Sequence, residues 1–103
     1  MRRLRYLDSA LRDIAEIYAY IEGRSESSVI AGRFIGRLRA QCRHIAKLPG
    51  TIGRPRPELL PQLRSFSFQS YLILFRYAGE VLEIVNIVEG HRDIDMLFRK
   101  DDE

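Results

Sequence analysis

Hydrophobic residues recur at helical spacing in the first half of the chain. Residues 3–7 form a short, partly apolar run that is typical of a strand. Apolar side chains then fall three or four positions apart over residues 11–21, as they do on one face of an amphipathic helix. Asp8 or Ser9 can cap the start of this helix, and Gly23 can end it. The pattern therefore predicts a strand followed by a first helix.

The same spacing resumes after residues 25–28, which supply a second helix cap, and it stops at Pro49-Gly50. Gly32 and Gly36 lie inside this second helix, where each glycine costs about 1 kcal/mol relative to alanine. Close packing against the first helix is the favoured explanation, and a shallow groove for a partner's side chain is the alternative. Because the connection between the two helices is so short, we expect an antiparallel hairpin. The apolar positions of the second helix are Ala31, Phe34, Leu38, Cys42, Ile45 and Leu48.

The second half of the chain alternates turn residues with strand-like segments. Residues 51–61 contain three prolines and one glycine, so they predict an ordered basic loop and neither a helix nor a central strand. Three strand-like segments follow at residues 63–68, 71–77 and 81–89, with turn signals at Gln69-Ser70 and Ala78-Gly79. The middle segment is apolar on both faces, so it should be the central strand.

These elements predict an α+β fold. An N-terminal strand lies at the sheet edge, and an antiparallel helical hairpin packs on one face of a three- to four-stranded antiparallel β-sheet whose other face is partly open. A length of 103 residues, with 46% hydrophobic and 30% charged residues, suits one folded domain over residues 1–103 with a flexible acidic tail at about 99–103. No apolar run approaches the roughly 20 residues of a membrane span. We therefore expect a cytoplasmic location and no membrane partner.

Arginine supplies nearly all of the positive charge, since Lys47 and Lys100 are the only lysines. The formal net charge of +3 becomes +6 over residues 1–100, because residues 101–103 carry three negative charges. Guanidinium groups suit phosphates and carboxylates equally, so a nucleic acid and an acidic protein are both possible partners. The single cysteine, Cys42, should be a core residue, and we expect no metal site and no cofactor.

Four local strings carry a resemblance to a known family. They are Ala10-Leu11-Arg12-Asp13-Ile14, Ile45-Ala46-Lys47-Leu48-Pro49, Leu63-Arg64 with Tyr71-Leu72-Ile73-Leu74-Phe75-Arg76-Tyr77, and Ile87-Val88-Glu89-Gly90-His91-Arg92-Asp93. None is specific alone, but their joint order and spacing over nearly the whole chain resembles the RelE/ParE superfamily of toxins from type II toxin–antitoxin systems. The resemblance is closer to the ParE branch.

The two branches of this superfamily differ in chemistry. RelE-like members cut messenger RNA on the ribosome, whereas ParE-like members inhibit DNA gyrase and lack that nuclease site. RNA cleavage needs a base for the 2′-hydroxyl, a proton donor for the leaving oxygen and cations for the phosphate. His91, Glu89, Tyr71 and Tyr77 are the candidates for proton transfer here. The RelE pattern relies on lysines and arginines in the stretch before the sheet, and often on a tyrosine a few residues after Gly-His-Arg. In this chain the stretch has arginines but no lysine, and Met96 or a neighbour falls at the tyrosine position.

Arginine holds its proton too tightly to serve as an acid or base. The resemblance therefore implies a toxin that causes growth arrest by binding DNA gyrase non-covalently, with no catalytic residues. The target-binding residues would be Arg54, Arg56, Arg64, Arg76, His91 and Arg92. The alternative is a RelE-like, ribosome-dependent mRNA endoribonuclease that uses His91, Arg64, Arg76 and Arg92. A third possibility is a non-toxic remnant that only binds an antitoxin.

Structural roles for the same residues are also open. Arg64 and Arg76 can pair with Glu83 or Glu89 on a neighbouring strand, and His91 can close the last strand. Arg54 and Arg56 have no acidic neighbour in the loop except Glu58, which favours a binding role.

The partner that the resemblance implies is a small antitoxin, usually a DNA-binding dimer whose other end wraps the toxin. That segment should be amphipathic and acidic, because it must cover apolar surface and face arginines. We expect it along the helical hairpin and the sheet edge, with Arg33, Arg37 and Tyr18 as contact residues.

Overall fold

The structure, a computed structural model, describes residues 2–90. These residues form two helices and five strands, which confirms the α+β class. The elements in chain order are β1 (Arg3–Tyr6), α1 (Asp8–Ser25), α2 (Ser28–Lys47), β2 (Arg54–Pro55), β3 (Arg64–Phe68), β4 (Tyr71–Ala78) and β5 (Val81–Glu89). The expected acidic tail and the candidates His91 and Arg92 lie outside the described residues.

The five strands form one sheet in the order β1-β5-β4-β3-β2, with β4 in the middle as predicted. β1 lies at an edge, also as predicted, but it pairs with β5 in parallel, from Arg3 opposite Val81 to Tyr6 opposite Ile84. The sheet is therefore mixed and has five strands, where three or four antiparallel strands were expected. The additional strand, β2, lies inside the proline-rich loop and has two residues. Its place at the other edge fits the poor ability of proline to join a central ladder.

The ends of α2 agree with the sequence prediction, whereas both ends of α1 differ from it. Leu7 is the N-cap residue of α1 and makes no side-chain cap, so the capping role predicted for Asp8 or Ser9 is wrong. α1 also runs past Gly23 to Ser25, and Glu26 then takes a left-handed conformation with φ 56°. α2 behaves as predicted, because the Ser27 hydroxyl accepts a hydrogen bond from Ile30 N–H at 3.1 Å and the helix stops before Pro49.

The start of α1 completes the edge of β5 that β1 is too short to cover. β1 reaches only as far as Ile84. Leu7 N–H donates to the Ile84 carbonyl at 3.0 Å, and the Ser9 hydroxyl donates to the Val85 carbonyl at 2.5 Å. Asp13 Oδ2 then accepts from Ile87 N–H at 2.9 Å. Backbone N–H and C=O groups along a strand edge need hydrogen-bond partners when they are buried, and here the start of α1 supplies them.

The core lies between the helical hairpin and one face of the sheet. Phe75 and Ile73 from β4 are fully buried there with Leu38 and Ile45 from α2. On the opposite face, called the far face below, Leu63, Leu74 and Val85 form a smaller cluster that Leu59 and Leu60 of the loop help to cover. The loop therefore covers part of the face that was expected to be partly open. Neither described helix is long and apolar enough to cross a membrane.

The two glycines in α2 do not pack closely against anything. A Cβ atom added at Gly32 or Gly36 would meet no atom within 4 Å. Close packing against the first helix, the favoured explanation, is therefore wrong, because both positions face open space. Their helical cost of about 1 kcal/mol each has no offset within the described residues.

Candidate functional site

Among the arginines expected to bind the target that lie within residues 2–90, Arg54 is the most accessible. It lies opposite Ser65 of β3, and Ser65 lies opposite Leu74 of β4. Residues directly opposite each other in a sheet share a face, so Arg54 projects from the far face. Its side chain is exposed, and no residue within 2–90 forms an ion pair or side-chain hydrogen bond with it. Arg54 is thus free to meet an anionic group of another molecule.

Arg56 is engaged within the protein. Its side chain is 12% exposed, and its Nε donates to the Ser65 hydroxyl at 2.9 Å. Its Nη1 lies 3.6 Å from a Glu58 carboxylate oxygen, which is the acidic neighbour noted in the sequence. The Arg56 N–H also donates to the Leu63 carbonyl at 2.7 Å. These contacts fasten the loop to β3 and leave little of Arg56 for a target.

Arg76 makes the ion pair that the strand pattern suggested. Its Nε donates to Glu83 Oε1 at 2.7 Å across the β4–β5 pair, and Arg5 Nη1 lies 3.6 Å from the other oxygen of Glu83. The Glu83 side chain is 9% exposed, so the two guanidinium groups compensate a nearly buried carboxylate. With 39% of its own side chain exposed, Arg76 keeps some donors for a partner.

Arg64 holds the loop through backbone carbonyls. Its Nε donates to the Ile52 carbonyl at 2.6 Å and its Nη2 to the Gly53 carbonyl at 3.0 Å. The suggested pairing of Arg64 with Glu83 or Glu89 is therefore wrong. Gly53 has φ +87°, and a Cβ there would lie 2.7 Å from Phe75 Cζ. Only glycine tolerates both this conformation and this contact.

Of the two tyrosines considered for proton transfer, Tyr77 lies near Arg64, because both hydrogen-bond to Ile52, whereas Tyr71 lies apart from the arginines. The Tyr77 hydroxyl accepts a hydrogen bond from Ile52 N–H at 3.0 Å, and the Arg2 guanidinium lies 4.2 Å from its ring centroid. Tyr71 starts β4, about 17 Å along the strand from Arg76. Tyr77 therefore has a structural role, and Tyr71 belongs to another part of the surface.

The outer face of α2 is basic. Arg33 and Arg37, expected to contact the antitoxin, are both exposed, whereas Tyr18 of α1 is half-buried. The helix carries five arginine and lysine residues and no carboxylate. The Arg37 guanidinium lies 5.9 Å from the Phe34 ring centroid. Val29 and Ile30 add exposed apolar area at the start of the helix, so this face combines positive charge with hydrophobic surface.

A groove beside α1 is a feature that sequence reasoning missed. Its volume is about 280 Å³. Burial, followed by the charge of Glu89 and the presence of Tyr20, raises the pKa of the Tyr71 phenol above its ordinary value. The spacing of Asp13, Glu16 and Tyr20 along one side of α1 is the signal that would have indicated it. The lining residues are Asp13, Glu16, Ile17, Tyr20, Tyr71, Ile87, Val88 and Glu89.

Cys42 is fully buried under β1, in agreement with its expected core position. Burial raises the pKa of its thiol, as is usual for a structural cysteine in a core. The neighbouring Tyr6 hydroxyl is buried too, and burial together with Cys42 raises its pKa. Within residues 2–90, no group of three or more histidine, cysteine, aspartate and glutamate side chains is placed to hold a metal ion.

Comparison with known proteins defines the class to which this fold and this surface belong. Residues 4–94 match the family model described as the ParE toxin of the type II toxin–antitoxin system parDE. The chain therefore belongs to the ParE toxin family, and membership implies an antitoxin partner.

Two relatives agree with this assignment. Toxin ParE3 of Caulobacter vibrioides is 27% identical over 88 residues, which are 85% of this chain and 79% of that protein. A solved structure titled "Chromosomal ParDE TA system from P. aeruginosa" superposes with a TM-score of 0.76. The superposition covers 88% of this chain and 98% of the chain in that structure. The sequence identity is 20%, so this likeness supports the fold.

Proposed function

We propose that this ParE-family toxin inhibits DNA gyrase by non-covalent binding, with the far-face arginines at the contact. Family membership supports the toxin class, and one observation supports binding without cleavage. Within residues 2–90, Arg56, Arg64 and Arg76 are held by a hydroxyl, backbone carbonyls and carboxylates, and the Tyr77 hydroxyl, which shares Ile52 with Arg64, already accepts a hydrogen bond from Ile52 N–H. Such a set can hold an anionic or acidic surface, but an arginine side chain does not readily give up a proton to a leaving oxygen.

The four arginines have different roles in this proposal. Arg54 contacts the target directly because it is exposed on the far face. Arg56 and Arg64 hold the loop that presents Arg54, and Arg76 contributes the exposed part of a guanidinium anchored by Glu83. The expected contacts of His91 and Arg92 lie outside the described residues.

Charge reversal at Arg54 tests this contact. We expect Arg54→Glu to raise the toxin concentration needed for half-inhibition of gyrase supercoiling about tenfold, since losing a charged contact at an interface costs roughly 1.4 kcal/mol or more. Arg12→Glu on α1 is a matched control, because Arg12 is exposed on the opposite side of the sheet and undergoes the same charge change. Equal losses from both variants would show that overall charge, and not this surface, determines inhibition.

We also propose that the antitoxin covers the basic face of α2 with an acidic amphipathic segment. Five cations without a carboxylate on one helix favour an acidic partner, and the exposed Val29 and Ile30 favour an apolar one. Arg33, Arg37 and the half-buried Tyr18 remain the proposed contact residues.

Arg37→Glu tests the antitoxin surface independently of the target. We expect the dissociation constant for the antitoxin to rise about tenfold, mainly through faster dissociation. Isothermal titration calorimetry with the protein encoded by the neighbouring reading frame gives this constant. Arg54→Glu is the control, since it makes the same change on the far face. If Arg33→Glu and Arg37→Glu both bind like the wild type, the antitoxin lies elsewhere.

A further inference from the structure

The groove beside α1 differs in charge from the rest of this arginine-rich chain. Its lining contains three carboxylates and no cationic residue. Asp13 already accepts hydrogen bonds from the Asn86 amide and from Ile87 N–H, each at 2.9 Å, so it has a structural role. Glu16 and Glu89 are exposed and form no ion pair with any residue in the described part of the chain. Two carboxylates at the groove are therefore available to a ligand.

Tyr71 provides a second and independent indication of a ligand. Its side chain is only 8% exposed, and its ring packs against Phe34 with the centroids 5.6 Å apart. Tyr71 lines the groove, and its hydroxyl makes no hydrogen bond to any residue between 2 and 90. The side chain as a whole is nearly buried, but its hydroxyl reaches the groove, where it can donate a hydrogen bond to a ligand or to water. The groove therefore presents an unpaired polar group next to two carboxylates.

The size and chemistry of the groove match one long cationic side chain. Its volume of about 280 Å³ is just below the roughly 300–1,000 Å³ of pockets that enclose small-molecule ligands. Ile17, Ile87 and Val88 offer apolar contact to an aliphatic stem, as lysine and arginine stems commonly find at surfaces. Glu16 and Glu89 can pair with its charge, and the Tyr71 hydroxyl lies beside them. The exposed Tyr20 ring can also accept a cation, although the Arg24 guanidinium already lies 5.8 Å from its centroid.

The position of the groove identifies the molecule that supplies this side chain. Tyr71 contacts Phe34 of α2, and the Arg37 guanidinium lies 5.9 Å from the centroid of that same ring. The groove is therefore continuous with the proposed antitoxin surface. The proposed target surface lies on the far face of the sheet, away from the helices.

We propose that the groove binds an arginine or lysine side chain of the antitoxin. This rests on the proposed antitoxin surface of α2 and adds a second, oppositely charged contact to it. The antitoxin segment is then not uniformly acidic, because it presents carboxylates to Arg33 and Arg37 and one cation to Glu16 and Glu89. Such alternation fixes the register of the segment on the toxin, since sliding it would bring like charges together.

Isosteric removal of each carboxylate tests the proposal in the full-length chain. We expect Glu16→Gln and Glu89→Gln each to raise the dissociation constant for the antitoxin about tenfold, and Tyr71→Phe to raise it severalfold. Glu80→Gln is the matched control, because Glu80 is exposed in the turn at the other end of β4 and β5. A second measurement uses the toxin alone with N-acetyl-arginine amide, which should shift the Tyr20 and Tyr71 ring resonances more than the neutral citrulline analogue does.

The outcomes separate this proposal from the proposed function. Unchanged antitoxin affinity in the Glu16→Gln and Glu89→Gln variants would overturn it. Weaker gyrase inhibition with unchanged antitoxin affinity would also overturn it, because the groove would then belong to the target surface. Loss of antitoxin affinity in these variants supports it, even if the wild-type toxin fails to inhibit gyrase.

Discussion

Gly53→Ala is expected to lower the free energy of unfolding by about 3 kcal/mol, although the substitution adds only one methyl group. Two costs add. Alanine is strained at φ +87°, which costs about 1–2 kcal/mol, and its Cβ would lie 2.9 Å from the Ser65 carbonyl oxygen and 2.7 Å from Phe75 Cζ. The Ser65 oxygen belongs to the backbone of β3, which is paired with a strand on each side, so it cannot move cheaply.

Gly50→Ala separates these two costs. Gly50 also has a positive φ of +69°, but a Cβ there would meet nothing within 4 Å. We expect a loss of about 1 kcal/mol for Gly50→Ala, so that the difference between the two variants measures the close approach at Gly53. Urea unfolding followed by circular dichroism gives both values. Equal losses would mean that the contact with Phe75 and Ser65 is relieved by movement of the loop.

The same substitution should weaken function, because Gly53 belongs to the loop that presents Arg54. Arg64 donates to the Gly53 carbonyl and the Ile52 carbonyl, so a shifted loop loses its anchor on β3. We expect reduced gyrase inhibition from Gly53→Ala at temperatures where the variant is still folded.

Asp13→Ala is expected to cost about 3 kcal/mol of stability. Asp13 Oδ2 accepts from two donors, the Asn86 amide and Ile87 N–H, and Asn86 is buried. Removing the carboxylate leaves both donors without their partner, and each buried unpaired donor costs about 1–3 kcal/mol. The unfolding free energy from urea titration measures this loss.

Asp13→Asn is the control for this prediction. It retains an acceptor oxygen, so it can keep one or both hydrogen bonds, and we expect a loss near 1 kcal/mol. A result in which alanine and asparagine are equally mild would show that water replaces the carboxylate, and that α1 is held to β5 by apolar packing.

The sequence was most informative where the local pattern alone determines the structure. The three- and four-residue spacing over α2 follows from one buried face, and Ser27 and Pro49 mark its ends by local chemistry. The continuous apolar run of β4 predicts a strand buried on both faces, and four of its residues are at most 2% exposed.

Features set by distant parts of the chain could not be predicted. The parallel direction of β1 depends on how the hairpin returns the chain to the sheet, and residues 3–7 carry no signal for it. Likewise, Ser9 was expected only as a possible cap of α1 and Asp13 carried no signal of its own, yet both complete the edge of β5. Pairing with a carboxylate was one of the roles that the sequence left open for Arg64, because a sequence does not show which backbone carbonyls a loop will bring near a guanidinium group.

In the candidate site, too, the local features could be predicted and the features set by tertiary contacts could not. The arginines of the loop and sheet could be selected by residue type, but which of them are already engaged depends on tertiary contacts. The groove was missed because Tyr71 and Glu89 were considered for proton transfer, although strand pairing places them opposite each other and away from the arginines.

We propose that the toxin acts on DNA gyrase by binding and does not cut RNA. The most direct measurement adds one purified preparation in parallel to gyrase with relaxed plasmid and to ribosomes translating a defined messenger RNA. We predict that supercoiling is blocked at toxin concentrations that leave the message intact by primer extension. Codon-linked cleavage of the message with unimpaired supercoiling, abolished by His91→Ala, would contradict the account.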